Sequence, residues 1–256
     1  MNIKISTVNF LNTLPYVYGL ENGPLQSRLE ISRDSPVSCS EKLYSGEVDI
    51  GLVPVVVIPS LPFSHSILEY GIACNGQVES VCLVSNKQIS QLDRIYLDYE
   101  SRTSNQLLKV LLSDYWKLSP DLLNSFPGYE KFITGNTGGL LIGDRALKWK
   151  EIFPCNYDLG MAWKQYSGLP FVFATWVGRK DIVEAYKSEL VESFELGLSS
   201  LSYSIEMARH KYPGIDVETY LSRNIIFRLS GAGKEGLAYF LQKMENIPLN
   251  PVSLNL

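Results

Sequence analysis

A chain of 256 residues, 45% hydrophobic and 20% charged, can bury one large core or two small ones. Its net charge of -4 and pI near 5.3 exclude the clustered basic surface that holds nucleic acids or acidic membranes, so an anionic ligand must be gripped locally by a few donors. Cys39, Cys74, Cys82 and Cys155 form no Cys-x-x-Cys pair, and His65 and His210 lie at no ligand spacing. Neither a zinc site, a disulfide framework nor a histidine triad is supported, and no metal or cofactor is expected.

The opening residues carry the cation Lys4, and Asn9, Asn12 and Thr13 interrupt their apolar stretches. That pattern fits no secretory leader and points to the cytoplasm. The stretch 50–63 is apolar but short and carries Pro54, Pro59 and Pro62, so it reads as a buried strand and turn and no membrane partner is expected. In chain order, 3–8 reads as a strand, 9–13 as the loop into a short helix with Pro15 in its first turn, and 29–33 as a second strand. Ser38 to Glu41 has a capping-box pattern and starts a helix ending at Ser45-Gly46. Strands follow at 49–53, 67–74 and 78–84.

The polar segment 85–93 then marks a crossing to a second lobe. That lobe holds a strand at 95–97, a helix from Ser101, a Gly-rich loop at 135–139, a strand at 140–143 and a helix at 159–166. The strand 171–177 carries the chain back. Ile182, Tyr186, Leu190, Phe194, Leu198 and Leu201 recur at helical spacing, two further helices cover 216–223 and 234–245, and a Pro- and Asn-rich tail starts at 247. The expected organisation is α/β and two-lobed, with 1–88 and 177–256 in lobe one, 89–176 in lobe two, a ligand cleft between the lobes, and C-terminal helices.

Ligands of open α/β sheets bind beyond the carboxyl ends of the strands. Here those ends carry Asn12 and Thr13, Ser40, Ser101 to Ser104, and Gly143-Asp144. Ser101, Thr103 and Ser104 can cap the backbone N–H groups of the helix they open. The same N–H groups, with Arg102 beside them, can instead receive a carboxylate or phosphate. Small hydroxyls and amides suit a small polar anion.

Five separated stretches carry a resemblance: V-N-F-L-N-T-L-P at 8–15, D-I-G-L-V-P at 49–54, S-R-T-S at 101–104, G-L-L-I-G-D at 139–144 and G-L-P-F-V-F-A-T-W at 168–176. In this order they are similar to the chorismate dehydratases of the futalosine route to menaquinone, and the likeness spans nearly the whole chain. The resemblance implies a periplasmic-binding-protein-like type II fold, a small-molecule substrate, chorismate, and conversion to 3-[(1-carboxyvinyl)oxy]benzoate and water. The related 1,4-dihydroxy-6-naphthoate synthases place a histidine base after the strand that here reads Leu140-Leu141-Ile142. This chain has Gly143-Asp144 there. A non-catalytic carboxylate-binding protein is the remaining alternative.

The dehydration removes a hydrogen on a carbon conjugated to the ring carboxylate, so donors at that carboxylate favour the transition state. Ser101, Arg102, Thr103 and Ser104 are expected to hold one carboxylate, while Asn12, Thr13 and Ser40 position the other end. Val53, Ser80 and Gly143 are expected to line the cleft, and Phe173 and Trp176 either cover the product or pack in the core. Two bases are open: Asp144, which can equally cap or orient a neighbour, and the enolpyruvyl carboxylate of the substrate itself.

Overall fold

The computed structural model describes residues 2–245, so the tail from 247 lies outside the described residues. The chain opens with β1 (Ile3–Val8), a 3-10 turn at Leu11–Thr13, α1 (Leu14–Asn22), β2 (Leu29–Asp34), α2 (Pro36–Ser45), β3 (Ile50–Pro54) and β4 (His65–Cys74). A second set follows: β5 (Val81–Ser85), β6 (Arg94–Tyr96), α3 (Arg102–Val110), β7 (Asp121–Leu123), β8 (Thr137–Ile142), α4 (Gly143–Trp149), β9 (Cys155–Asp158) and α5 (Leu159–Ser167). The return is made by β10 (Phe171–Arg179), α6 (Lys180–Ser199), α7 (Leu201–Lys211), α8 (Val217–Thr219), β11 (Ile226–Arg228) and α9 (Gly231–Glu245).

Two sheets result, with strand orders β11-β4-β10-β3-β1-β2 and β7-β6-β8-β5-β9. β1 runs parallel to β2 and β3, whereas β10 lies antiparallel between β3 and β4. Because β5 pairs with β8 and β9, the chain changes lobe between Cys74 and Val81, ahead of the crossing near residue 88 that the pattern suggests. It returns between Ser167 and Phe171, so residues 171–176 belong to the first sheet and not to lobe two. Both misplaced strands are buried along most of their length on both faces. A continuous apolar run of that kind carries no mark of the sheet it will join.

Local chemistry explains the helix starts. Ser101 caps α3, its Oγ accepting from the Ser104 N–H at 3.0 Å. For α2 the cap is Ser35, which accepts from the Ser38 N–H at 3.2 Å with Pro36 at the first helical position, so the Ser38 to Glu41 pattern lies inside the helix. Gly46 ends it at φ +75°, the left-handed conformation that glycine takes without a Cβ penalty. β7, β9 and β11 are edge strands of three or four residues, too short to show an alternating pattern in the sequence.

The first-lobe core is aromatic. Trp176 stacks on Phe194 of α6 with ring centroids 5.0 Å apart, and Tyr16 of α1 meets both rings edge-on. Trp176 is therefore core, while Phe173 reaches the cleft. The stripe packs against the core with Leu190 and Phe194 fully buried, but it spans two helices, since α6 ends at Ser199 and Leu201 opens α7. No helix among the described residues is long and apolar enough to cross a membrane.

α1 and α6 touch backbone to backbone. A Cβ on Gly197 would lie 1.9 Å from the Pro15 carbonyl oxygen. Pro15 is the second residue of α1, which starts directly after Asn12 and Thr13, so this contact also seats the turn that carries them. Gly197→Ala should therefore lower unfolding free energy by about 1–3 kcal/mol, the usual cost of overpacking, as read by urea denaturation.

Candidate functional site

A cleft of about 580 Å³, its open mouth included, lies where the two sheets face one another. Its walls are apolar, from Val8, Phe10, Leu52, Ile72, Ile142 and Phe173, and its polar side chains are Asn12, Thr13, Ser80, Ser101, Thr103 and Ser104. None of the residues lining it has an ionisable side chain.

The polar end is built on the start of α3. The Ser101 oxygen accepts from the Ser104 N–H and its own proton stays available, while the N–H groups of Arg102 and Thr103 precede the first helical bond. Thr103 Oγ1 is buried and has no hydrogen-bond partner among the described residues. An unpaired buried hydroxyl costs about 1–3 kcal/mol, which a ligand oxygen would recover. Helix N–H groups, their dipole and these hydroxyls together suit a carboxylate.

The opposite wall carries an ordered chain of donors. Asn12 Nδ2 donates to the Tyr220 hydroxyl at 3.0 Å, and Tyr220 donates to Ser80 Oγ at 2.9 Å. The Thr13 hydroxyl donates to the Val8 and Phe10 carbonyls at 2.7 and 2.8 Å, so it shapes the turn instead of facing a ligand with a free proton. Gly143 lines the cleft at φ +57°, gives its N–H to the Ser80 carbonyl at 2.7 Å, and packs so closely on Phe10 that a Cβ would come within 2.9 Å of the ring.

Four expected site residues stand apart from this lining. Ser40 donates to the Pro36 carbonyl at 2.8 Å within α2, because its position is helical and not a strand end. Val53 is fully buried; alternation along β3 turns Leu52 and Pro54 to the cleft and Val53 to the other face. Arg102 points out at the mouth, its guanidinium 3.8 Å from Glu41 of α2. Asp144 accepts from the Leu11 N–H at 3.0 Å and from the Tyr212 hydroxyl at 2.9 Å, so both carboxylate oxygens tie α4 to the first lobe. Burial pushes its pKa up, against those two hydrogen bonds.

Three supporting groups had no signal in the sequence. Tyr220 lies 208 positions from Asn12 and 140 from Ser80. Asp98, its side chain fully buried, accepts from Arg145 at 2.7 Å and Tyr129 at 3.1 Å, and Asn105 brackets its backbone, which fixes the loop leading to Ser101. Burial lifts the Asp98 carboxyl to about 6 against the pull of Arg145. Asp158 accepts from the N–H groups of Val78, Glu79 and Met161 and so pins the strap that bears Ser80.

Burial pushes the Asp158 carboxyl from 3.8 up to about 6. The folded chain thus takes up this proton before the unfolded chain does, and the native state gains stability as pH falls from about 6 towards 4. Asp158→Asn lacks that gain. The stability of wild type over the variant should therefore grow between pH 7 and pH 4, by about 2 kcal/mol, in urea melts at the two pH values.

A family model described as menaquinone biosynthesis matches residues 3–246. The chorismate dehydratase of Thermus thermophilus is 32% identical over 200 residues, covering 65% of this chain and 71% of that protein. The chorismate dehydratase of Campylobacter jejuni is 26% identical over 252 residues, covering 94% and 97%. Among solved structures, a protein of Archaeoglobus fulgidus matches with a TM-score of 0.74 at 17% identity, covering 95% of this chain and 97% of that one. The alkanesulfonate-binding protein SsuA of Xanthomonas axonopodis pv. citri, bound to MOPS, matches with a TM-score of 0.66 at 13% identity, covering 96% and 94%. The fold is thus the two-lobed periplasmic-binding-protein-like type II fold.

Proposed function

The chain belongs to the menaquinone-biosynthesis family, and on that footing we propose that it is a chorismate dehydratase of the futalosine route, forming 3-[(1-carboxyvinyl)oxy]benzoate and water. The observation that carries this reading is the cleft itself. It pairs apolar walls, suited to a six-membered ring, with a carboxylate seat at the start of α3. Its substrate and product are cytoplasmic metabolites in this reading.

The ring carboxylate sits on the α3 N–H groups with Ser101, Thr103 and Ser104. Negative charge spreads onto it as the proton leaves the carbon bearing the ether, so these donors act most strongly in the transition state. Asn12 and Ser80 hold the other end. With no ionisable side chain lining the cleft among the described residues, the enolpyruvyl carboxylate takes the proton. The C–H electron pair enters the ring, the C–O bond breaks, and the departing hydroxide leaves as water with the transferred proton. Positioning supplies the catalysis in this scheme, a contribution of several kcal/mol. Asp144 then serves as a brace between the lobes.

Incubating purified protein with chorismate alone should give loss of one water by mass spectrometry, together with the ultraviolet change of aromatisation. Recovery of intact chorismate from folded protein would overturn the assignment in favour of a naphthoate synthase or a binding protein. Asp144→Asn should cost less than about tenfold in kcat, whereas a loss of about 10² to 10⁴ would mark it as the base. Thr103→Val should leave stability in the absence of substrate unchanged or up to about 1 kcal/mol higher, because it removes an unpaired buried hydroxyl, and should weaken chorismate binding about tenfold by calorimetry.

A further inference from the structure

Ser80 is held from three directions. The Gly143 N–H fixes its carbonyl at 2.7 Å, Asp158 fixes the strap before it through Val78 and Glu79, and Tyr220 fixes its hydroxyl. Glu79, immediately before it, stands at φ +68°, an uncommon conformation for a residue with a side chain and one that persists only where the surroundings impose it. So much restraint on one serine calls for a reason beyond packing. A hydroxyl can point its proton in several directions, and its partners decide which.

Tyr220 is 3% exposed, and burial raises its pKa well above the ordinary value, so the hydroxyl keeps its single proton. That proton goes to Ser80 Oγ, while the tyrosine oxygen accepts from Asn12 Nδ2. The direction of the chain has a consequence at each end. Ser80, already an acceptor from Tyr220, has its own proton left for the cleft, and Asn12, with Nδ2 turned to Tyr220, has its carbonyl oxygen left as an acceptor. One phenol thus polarises two cleft residues, one on the turn after β1 and the other on the strap between the lobes.

We infer that Tyr220 is a positioning residue for the dehydration, setting Ser80 as a hydrogen-bond donor and Asn12 as an acceptor toward bound substrate. This rests on the proposed reading of the cleft as a chorismate site. Tyr220 touches neither substrate nor reacting atoms and acts only through its two partners. Sequence proximity gives no hint of the link, because Tyr220, just after α8, is far from both partners in the chain and reaches them only after the chain has returned to the first lobe.

The test compares wild type, Tyr220→Phe, Ser80→Ala and the double variant in steady-state turnover of chorismate, with chorismate binding by calorimetry and folding by circular dichroism. Tyr220→Phe should lower kcat about ten- to a hundredfold while KM changes less than about threefold. The double variant should lose less than the product of the two single losses, because the residues act as one unit. A loss confined to folding would leave kcat per folded molecule intact and would overturn the inference, as would a Tyr220→Phe enzyme with wild-type kcat or two losses that multiply. Should Tyr220→Phe fail to fold, Ser80→Ala with wild-type kcat would overturn it independently. Wild type that neither binds nor converts chorismate would overturn the dehydratase reading and the inference with it.

Discussion

The insertion of β10 between β3 and β4 is the constraint on which the rest of the molecule depends. A strand that comes back from the second lobe and pairs antiparallel on both sides completes the first sheet late in the chain. Its ladder sets Ala174 against Pro54 and Ile72, and Phe173 and Ala174 become cleft floor together with those two residues. Its Trp176 forms the face on which α6 packs through Phe194. Everything downstream, including α8 and Tyr220, is placed by that pairing, so the cleft cannot be complete until the chain has returned.

The electrostatics of the cleft follow from what is left out of it. Arg145 lies close by in sequence to Gly143, yet it is paired with Asp98, Glu100 and Glu130 and stacked 4.5 Å from the Tyr99 ring centroid. A cation so heavily neutralised braces the loop before Ser101 and offers no charge to a ligand. The proposed carboxylate seat therefore relies on fixed dipoles: helix N–H groups and hydroxyls held in place by a network behind them. Dipoles already oriented need little reorganisation when charge moves during the proposed reaction.

The legible part of the sequence was its local chemistry. Ser101 as a cap, Gly46 and Gly168 as helix ends in the left-handed region, and the strand-to-helix junctions at Asn12 and Ser101 are all set by residues within one turn of each other. What escaped is non-local. The sheet that β5 joins depends on partners at 137–142 and 155–158, and the polarity of Ser80 depends on a tyrosine 140 positions away. Ser40 illustrates the same limit from the other side: a hydroxyl next to a helix start looks available, but a one-turn shift of the cap to Ser35 turns it back onto the Pro36 carbonyl. Side-chain availability is decided by register, and register is decided by the fold.

The contacts between the lobes are unequal. On the side away from the mouth, Trp163 of α5 meets Phe171, Tyr239 and Phe240 with ring centroids 5.3 to 5.8 Å apart, and its Nε1 donates to the Pro170 carbonyl. Such a cluster is buried, apolar and specific in geometry. At the mouth the ties are the Arg102–Glu41 pair, both partners well exposed, and the two hydrogen bonds to Asp144. An exposed ion pair is worth about 0–1 kcal/mol and a hydrogen bond about 1 kcal/mol, so each of these ties is weak taken singly. Asp144, bonded to the Leu11 N–H and the Tyr212 hydroxyl, ties α4 to the turn that carries Asn12.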